Sequence, residues 1–157
     1  MQLKASTDYG MRAILYLAAE GKTCSSKDIA NDMSIPRDYL IQLAQLLRNA
    51  GIIEARPGKH GGYQLAKDPA DITVLEILNA LDDDTKQSTR EKRSARKDSA
   101  MVQEIKRTYE LIGESMDAFL SSLTVETLLE CTRNADNSKK FLAERLENEG
   151  RRLAKAK

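Results

Sequence analysis

The sequence has few of the residues from which catalytic and metal sites are built. Its 157 residues include one histidine, two cysteines and no tryptophan. There is no phosphate-binding or dinucleotide-binding glycine motif, and no set of candidate ligands has the spacing of a metal site. The sequence therefore argues against an enzyme and predicts no metal site.

The chain also has no long apolar run and no paired cysteines. No segment approaches the roughly 20 apolar residues that a bilayer-spanning helix needs, and no apolar stretch precedes a signal-peptide cleavage site. Two cysteines without paired spacing do not make a disulfide framework. These absences predict a cytoplasmic protein with no membrane partner.

A strong net charge is missing as well. The formal net charge is +1, which by itself gives little support for binding to nucleic acid. A total near zero can conceal a basic face, and basic residues cluster at Arg37, at Arg56 with Lys59, and within residues 86–97. The charge permits a nucleic-acid partner without indicating one.

Residues 25–65 contain a helix, a turn, a second helix and a hairpin in close succession. The run SSKDIANDM predicts a short helix with a serine cap. After the break at Pro36, apolar residues recur at helical spacing through a second helix, residues 36–50, and Gly51 ends it. The apolar runs that flank RPGKHGG predict a basic-tipped β-hairpin, residues 52–65. This order is typical of a winged helix-turn-helix.

The predicted fold is mainly α-helical, with the hairpin as its small β element. Thr73 and Glu76 predict a capping box on the last helix of the winged-helix domain. A charge-dense stretch without hydrophobic periodicity follows and predicts a flexible linker. The predicted divisions are a winged helix-turn-helix domain (1–81), the charged linker (82–98), a long dimerisation helix with a short capping helix (99–132), and a C-terminal helical tail (133–157).

A heptad-like seam predicts that the long helix pairs with a second copy. Apolar residues recur there at alternating spacings of three and four. Packing of this seam on its own domain is the alternative, but the helix follows a polar linker and lies outside the predicted core. A helix of about 23 residues extends about 35 Å, comparable to one DNA turn between two half-sites. The predicted dimerisation residues are Val102, Ile105, Tyr109, Ile112, Met116, Phe119 and Leu123.

The polar face of the second helix and the hairpin tip provide the candidate DNA contacts. Arginine can bind guanine through two hydrogen bonds, glutamine can bind adenine in the same way, and aspartate can accept from cytosine. A merely solvated helix face is the alternative. The only histidine, at the hairpin tip, is better explained as a polar loop residue than as a contact. The candidates are Arg37, Asp38, Gln42, Gln45, Arg56, Lys59 and His60.

Three runs of the sequence resemble the Rrf2 family of bacterial winged helix-turn-helix transcription regulators. They are STDYGMRAILYLA, PRDYLIQLAQLLRNAGII and GKHGGYQLAKDPADITVLEILNAL, and the later AFLSSLTVETLLE resembles the end of the family's dimerisation helix. The resemblance implies a DNA-binding regulator, which we interpret as a dimeric repressor of a pseudo-palindromic operator. A winged-helix protein-interaction module without specific DNA binding is the alternative.

The resemblance also indicates roles for single residues. It implies base contact by Gln42, within the family's Y-L-x-Q-L motif, whose variable position is occupied by Ile41. The family's wing usually reads R-G-x-x-G-G-Y, and its arginine enters the minor groove. Here Pro57 stands at that position, so either Arg56 or Lys59 takes the role, and the sequence leaves the choice open.

Cysteine content bears on what the protein senses. Many Rrf2 relatives hold an iron–sulfur cluster through three cysteines in the loop before the long helix. That loop contains no cysteine here, so we expect no cluster and no other cofactor. Cys24 precedes a helix, a position where the helix dipole can lower the pKa of a thiol, and Cys131 lies at the end of the short capping helix. We favour the interpretation that both are ordinary thiols. Thiol-based redox sensing by Cys24 or Cys131 is the open alternative.

Overall fold

The computed structural model describes residues 3–82 and 99–155, which form seven helices and one two-stranded antiparallel sheet. This confirms the predicted fold class. The predicted linker and its basic cluster lie outside the described residues, apart from Asp82. Within the described part of the chain, no helix combines the length and apolar character needed to cross a membrane. The elements are α1 (Ala5–Glu20), α2 (Ser26–Asp32), α3 (Arg37–Asn49), β1 (Ile53–Arg56), β2 (Gly62–Leu65), a 3-10 turn (Pro69–Asp71), α4 (Val74–Leu81), α5 (Ala100–Ser122), α6 (Val125–Arg133) and α7 (Ala135–Lys155).

Local chemistry sets the ends of the two helices of the helix-turn-helix. α2 begins where Ser25 Oγ accepts a hydrogen bond from the Asp28 N–H at 3.1 Å. Pro36 occupies the N-cap position of α3, where its missing N–H leaves no helical hydrogen bond unmade. α3 ends shortly before Gly51, whose φ of 70° is a left-handed conformation that glycine adopts without strain. The serine cap and the glycine stop agree with the sequence prediction.

Two threonines begin α4 and α6 in the same way. Thr73 Oγ1 accepts from the Glu76 N–H at 3.2 Å, and Glu76 Oε2 accepts from the Thr73 N–H at 2.9 Å. These two bonds complete the predicted capping box of α4. Thr124 Oγ1 accepts from the Thr127 N–H at 3.2 Å and caps α6.

The main apolar core lies between α1, α3, α4 and the hairpin. Leu40, Leu43 and Leu47 are buried on one side of α3, at the spacing that predicted an amphipathic helix. They belong to the same cluster as Ile14 of α1 and Ile77 of α4. Burial of a side chain of this size contributes about 1.5–3 kcal/mol. The three leucines therefore fix the rotation of α3 about its axis and leave its opposite side to solvent.

The caps of α4 and α6 lie side by side and join distant parts of the chain. The Val74 N–H donates to the Leu123 carbonyl at 2.8 Å, and the Val125 N–H donates to the Ile72 carbonyl at 2.9 Å. Val125 is fully buried in the main core, and α6 packs against α1. The segment 99–132, predicted as a separate dimerisation unit, thus contributes α6 to the winged-helix core.

α5 packs against α4 and α7, yet none of its own side chains is buried. The Arg145 guanidinium of α7 donates to the Ser122 carbonyl at 3.1 Å, at the end of α5. The predicted dimerisation seam wrongly includes its last residue, Leu123. Leu123 follows the last helical residue and is buried within its own chain, because the backbone turns there to begin α6.

Candidate nucleic-acid interface

The side of α3 opposite the three leucines is uncovered. Arg37, Asp38, Gln42 and Gln45 are all exposed there, and we call these four residues the polar edge of α3. Residues four apart on a helix are neighbours on its surface, so Asp38 and Gln42 lie along one line, and Arg37 and Gln45, which are two such steps apart, lie along an adjacent one. The structure therefore brings the four helix candidates together on one accessible face.

α1 supports α3 from behind through an aromatic contact. The Tyr9 and Tyr39 rings meet edge to face, with centroids 5.8 Å apart and planes at 81°. The Arg12 guanidinium lies 5.4 Å from the Tyr9 ring centroid and also pairs with Asp8 at 2.5 Å. Tyr39 is thereby held against α1, next to the start of the polar edge.

A hydrogen bond joins α1 to α2. The Tyr16 hydroxyl donates to the Asp32 carboxylate at 2.7 Å. This bond raises the pKa of Tyr16, with smaller contributions from burial and from the charge of Asp32. The phenol therefore remains a protonated donor at neutral pH, and α1 contacts both helices of the helix-turn-helix.

The side chains of the polar edge differ in whether they already have hydrogen-bond partners within the chain. Gln42 makes no hydrogen bond with any residue that the structure describes. Gln45 donates to Asn49 Oδ1 at 2.7 Å and accepts from the Arg48 guanidinium at 3.0 Å. Arg37 Nε donates to Ser26 Oγ at 3.3 Å. Gln42 can thus bind a ligand without breaking a hydrogen bond within the chain, whereas Gln45 would first have to break its hydrogen bonds to Asn49 and Arg48.

The wing is a short hairpin beside α3. β1 and β2 pair antiparallel, with Ile53 opposite Leu65 and Arg56 opposite Gly62. Residues 57–61 form the loop, in which Gly58 has a φ of 115°. A side chain at that φ would be strained. The hairpin therefore extends the candidate surface beyond α3, with Arg56, Lys59 and His60 exposed at or near its tip.

Backbone contacts fix the wing to the helix-turn-helix. The Cys24 N–H donates to the Tyr63 carbonyl at 2.9 Å, and the Tyr63 N–H donates to the Cys24 carbonyl at 2.8 Å. Gly62 allows this approach, because a Cβ there would lie 2.0 Å from the Cys24 carbonyl oxygen. The segment before α2 and the second wing strand are thus held together by paired hydrogen bonds.

The wing charges are not equivalent. Arg56 pairs with Glu54 at 2.7 Å, and Gln64 Nε2 donates to the same Glu54 oxygen at 2.6 Å. No ion pair or hydrogen bond joins Lys59 to another residue in the part of the chain that is described. Lys59 is therefore the wing cation whose charge is uncompensated by a direct partner, which the sequence could not distinguish from Arg56.

An open groove of about 400 Å³ lies between α3 and β2. Its lining comprises Ile41, Gln42, Ala44, Gln45 and Arg48 of α3, together with Tyr63 of β2. The helix and the wing therefore form one continuous surface.

The two thiols occupy different surroundings, and neither is in a disulfide. Cys24 is 5% exposed. Burial raises the pKa of its thiol, and the nearby carboxylate of Glu20 adds to the effect. The pKa of Cys24 is therefore shifted in the direction opposite to the lowering predicted from the α2 dipole, and burial is the largest cause. Cys131 is partly exposed and lines a small cavity of about 110 Å³ at the junction of α6 and α7.

The residues present do not fit an iron–sulfur cluster. The chain has only two cysteines, and residues 82–98 contain none. Cys24 is buried under the wing, and Cys131 lies on α6. No cluster of three or more histidine, cysteine, aspartate or glutamate side chains suited to a metal ion occurs within residues 3–82 and 99–155.

The long helix presents an exposed apolar face. Tyr109 is 68% exposed and Ile112 is 52% exposed, which is far more than apolar side chains of this size show in a core. Phe119 is only partly exposed. We call the exposed part of the predicted seam the α5 seam; it consists of Val102, Ile105, Tyr109, Ile112 and Met116.

Comparisons with known proteins agree with this geometry. The family model Rrf2, described as an iron-dependent transcriptional regulator, matches residues 3–131. The chain is 30% identical over 144 residues to the HTH-type transcriptional regulator NsrR of Bacillus subtilis (strain 168), and this alignment covers 90% of the chain and 97% of that protein.

Two solved structures extend the similarity to the fold. T. potens IscR matches with a TM-score of 0.69 and 28% identity, over 86% of this chain and 90% of that one. CymR (YrzC), the global cysteine regulator of B. subtilis, matches with a TM-score of 0.64 and 26% identity, over 83% of this chain and 97% of that one. Both matches cover most of the described residues.

Proposed function

The chain belongs to the Rrf2 family of transcriptional regulators, and from that premise we propose that it is a homodimeric repressor of a pseudo-palindromic operator. The family model and the similar protein NsrR are both described as transcriptional regulators, which agrees with the sequence prediction of a regulator rather than an enzyme. The proposal adds the oligomeric state, the direction of regulation and the residues that contact DNA.

The observation that carries the proposal is the uncovered polar edge of α3. Helix-turn-helix proteins place the first turns of the second helix against base edges in the major groove. Here those turns hold Arg37, Asp38 and Gln42, which are exposed while the leucines behind them are buried. The wing lies across the groove from α3, so Lys59 and Arg56 are available for the phosphate backbone or minor groove.

The α5 seam supports a second copy as partner. Apolar residues at heptad spacing remove their surface from water when two such helices pack along their length. A dimer formed in this way has two copies of α3 related by a twofold axis. A dimer with twofold rotational symmetry binds best to DNA with the same symmetry. We therefore expect the two half-sites to be inverted repeats.

We further propose that regulation proceeds without an iron–sulfur cluster, although the family model is described as iron-dependent. The cysteine content and the positions of the two thiols support this proposal. The buried Cys24 thiol, with its raised pKa, is also poorly suited to act as a thiolate sensor.

Selection from a random double-stranded DNA library tests the function. We expect the full-length protein, prepared without added iron, to enrich an inverted repeat. Binding to this sequence should withstand a large excess of random competitor DNA, and the protein should lower transcription from a promoter that overlaps it. If nothing is enriched, and binding disappears under competitor, a protein-interaction module becomes the better interpretation.

A further inference from the structure

Ile41 is an apolar side chain in the middle of an otherwise polar surface. It lies on α3 one turn after Arg37 and one turn before Gln45, so the three follow one line along the helix. The Ile41 residue is 43% exposed. All other isoleucines of residues 3–82 are buried, namely Ile14, Ile29, Ile35, Ile52, Ile53, Ile72 and Ile77.

The position of Ile41 separates it from an ordinary exposed apolar residue. Single apolar side chains on a protein surface are common and indicate little by themselves. Ile41, however, lines the groove between α3 and β2, where Ala44 and Tyr63 contribute further carbon atoms. Gln42 and Gln45 line the same groove and can bond a base edge. An apolar surface is thus set among groups suited to orient a base pair.

The chemistry of the major groove restricts what Ile41 can contact. Its side chain has no donor or acceptor, so it cannot pair with the polar atoms of a base edge. The 5-methyl group of thymine is the apolar group that B-DNA presents in the major groove. Placing a polar base atom against Ile41 would remove that atom from water without a hydrogen bond, which disfavours other bases there.

We propose that Ile41 determines specificity by contacting the 5-methyl group of a thymine in each half-site. The inference rests on the proposed function, since it requires α3 to enter the major groove. It assigns a base preference to the variable position of the helix motif. Removing the methyl group should weaken binding about fourfold per half-site, the equivalent of one buried CH₂ group.

Uracil substitution isolates this contact, because deoxyuridine differs from thymidine only by the missing methyl group. The operator is first obtained by selection with the full-length wild-type protein. Each thymidine is then replaced singly by deoxyuridine, and affinities are measured by fluorescence anisotropy at one fixed salt concentration. We expect the affinity to fall about fourfold at one thymine position in each half-site.

Variants of α3 connect that methyl group to Ile41. Ile41→Ala should weaken binding to the thymine operator and should abolish the deoxyuridine effect at the same position. Ile41→Val retains a branched side chain and should keep most of the effect. Gln42→Ala serves as the matched control, because it should lower affinity while the deoxyuridine effect persists.

The outcomes distinguish this inference from the function on which it rests. If no sequence is enriched, the proposed function and the inference fall together. If an operator is enriched but wild type is indifferent to every deoxyuridine, only the inference is overturned. The same holds if Ile41→Ala keeps the full deoxyuridine effect, because the methyl group then contacts another residue.

Discussion

At Gln42, both polar atoms of the side-chain amide lack a partner among the described residues and can meet a base. We expect Gln42→Ala to weaken binding to the selected operator by about 1–3 kcal/mol while it spares binding to random DNA. The reason is that a paired hydrogen bond to a base edge is sequence-specific. Titration of both DNAs by anisotropy measures the change. Asn79→Ala, an exposed amide on α4, is the control, and an equal weakening on random DNA would contradict the role in base recognition.

The wing cations give a second prediction at this scale. Lys59→Ala should lower affinity for all sequences similarly and should reduce the slope of log K against log salt by about 0.9 for each phosphate that is no longer neutralised. Arg56→Ala should have the smaller effect, since Arg56 already pairs with Glu54. Affinities at several salt concentrations compare the two variants. A slope unchanged by Lys59→Ala would show that this lysine does not touch the DNA backbone.

Some features of single residues can be predicted from the sequence and others cannot. The burial of Leu40, Leu43 and Leu47 follows from helical spacing alone, so the accessibility of the polar edge was predictable. The pairing of Arg56 with Glu54 was not predicted, since alternation along β1 puts both side chains on one face but does not show that they turn toward each other. The raised pKa of Cys24 was not predicted. The helix dipole is a local effect, whereas the burial of Cys24 depends on its pairing with Tyr63 of β2, far away in the sequence.

At the scale of elements, helix starts were predictable because capping is local chemistry. The serine before α2 and the threonines before α4 and α6 each accept a backbone hydrogen bond from three residues ahead. The end of α5 was harder to place. Its heptad pattern continues in sequence to Leu123, but the cap at Thr124 begins a new helix and removes Leu123 from the seam.

The capping box of α4 makes stability depend on pH. The backbone N–H of Thr73 lowers the pKa of Glu76 below its ordinary value of 4.5, and Lys67 assists. Because the folded-state pKa is lower, the folded state binds fewer protons than the unfolded state as pH falls through this range. The contribution of the Glu76 charge is therefore present above about pH 4.5 and is lost below it.

Glu76→Gln tests this dependence, because glutamine can complete the same box without the charge. We expect the variant to unfold at a lower denaturant concentration than wild type at pH 7, and the difference to shrink as pH falls below 4.5. Denaturant unfolding at several pH values measures it. Asn79→Gln, on the same helix, should show no such trend. If the difference in denaturant midpoint does not change with pH, the substitution acts through packing and not through the charge of Glu76.

At the scale of the whole molecule, the α5 seam should govern assembly. Ile105→Glu with Ile112→Glu places two charges in each copy of the proposed interface, where pairing would bury them unpaired. We expect dimerisation to weaken at least about 100-fold, or about 2.7 kcal/mol, with a parallel decrease in operator binding.

Sedimentation velocity on full-length protein measures the change in assembly. Glu114→Gln, at an exposed polar position of α5, is the matched control and should remain dimeric. Circular dichroism should show unchanged helix content, because both isoleucines are exposed in the chain. A double variant that stays dimeric would mean that two copies pair through another surface.

The division into domains was the hardest feature to predict from sequence. The order of the predicted helices and hairpin, with the charged stretch after them, indicated a winged helix followed by a separate helical unit, and the order of elements agrees. The role of Val125 in the main core was not predicted, because it depends on a hydrogen bond between Ile72 and Val125, which are more than fifty residues apart in the chain. Local patterns carry no information about such a distant contact.

The bridge between the caps of α4 and α6 has a consequence for synthesis on the ribosome. A nascent chain that has emerged only as far as Leu81 contains both DNA-facing elements but lacks the helix that covers part of α1. Until α6 follows, apolar surface on α1 remains open to chaperones and to proteases. We therefore expect a fragment ending at Leu81 to be degraded faster in cells than one ending at Asn134.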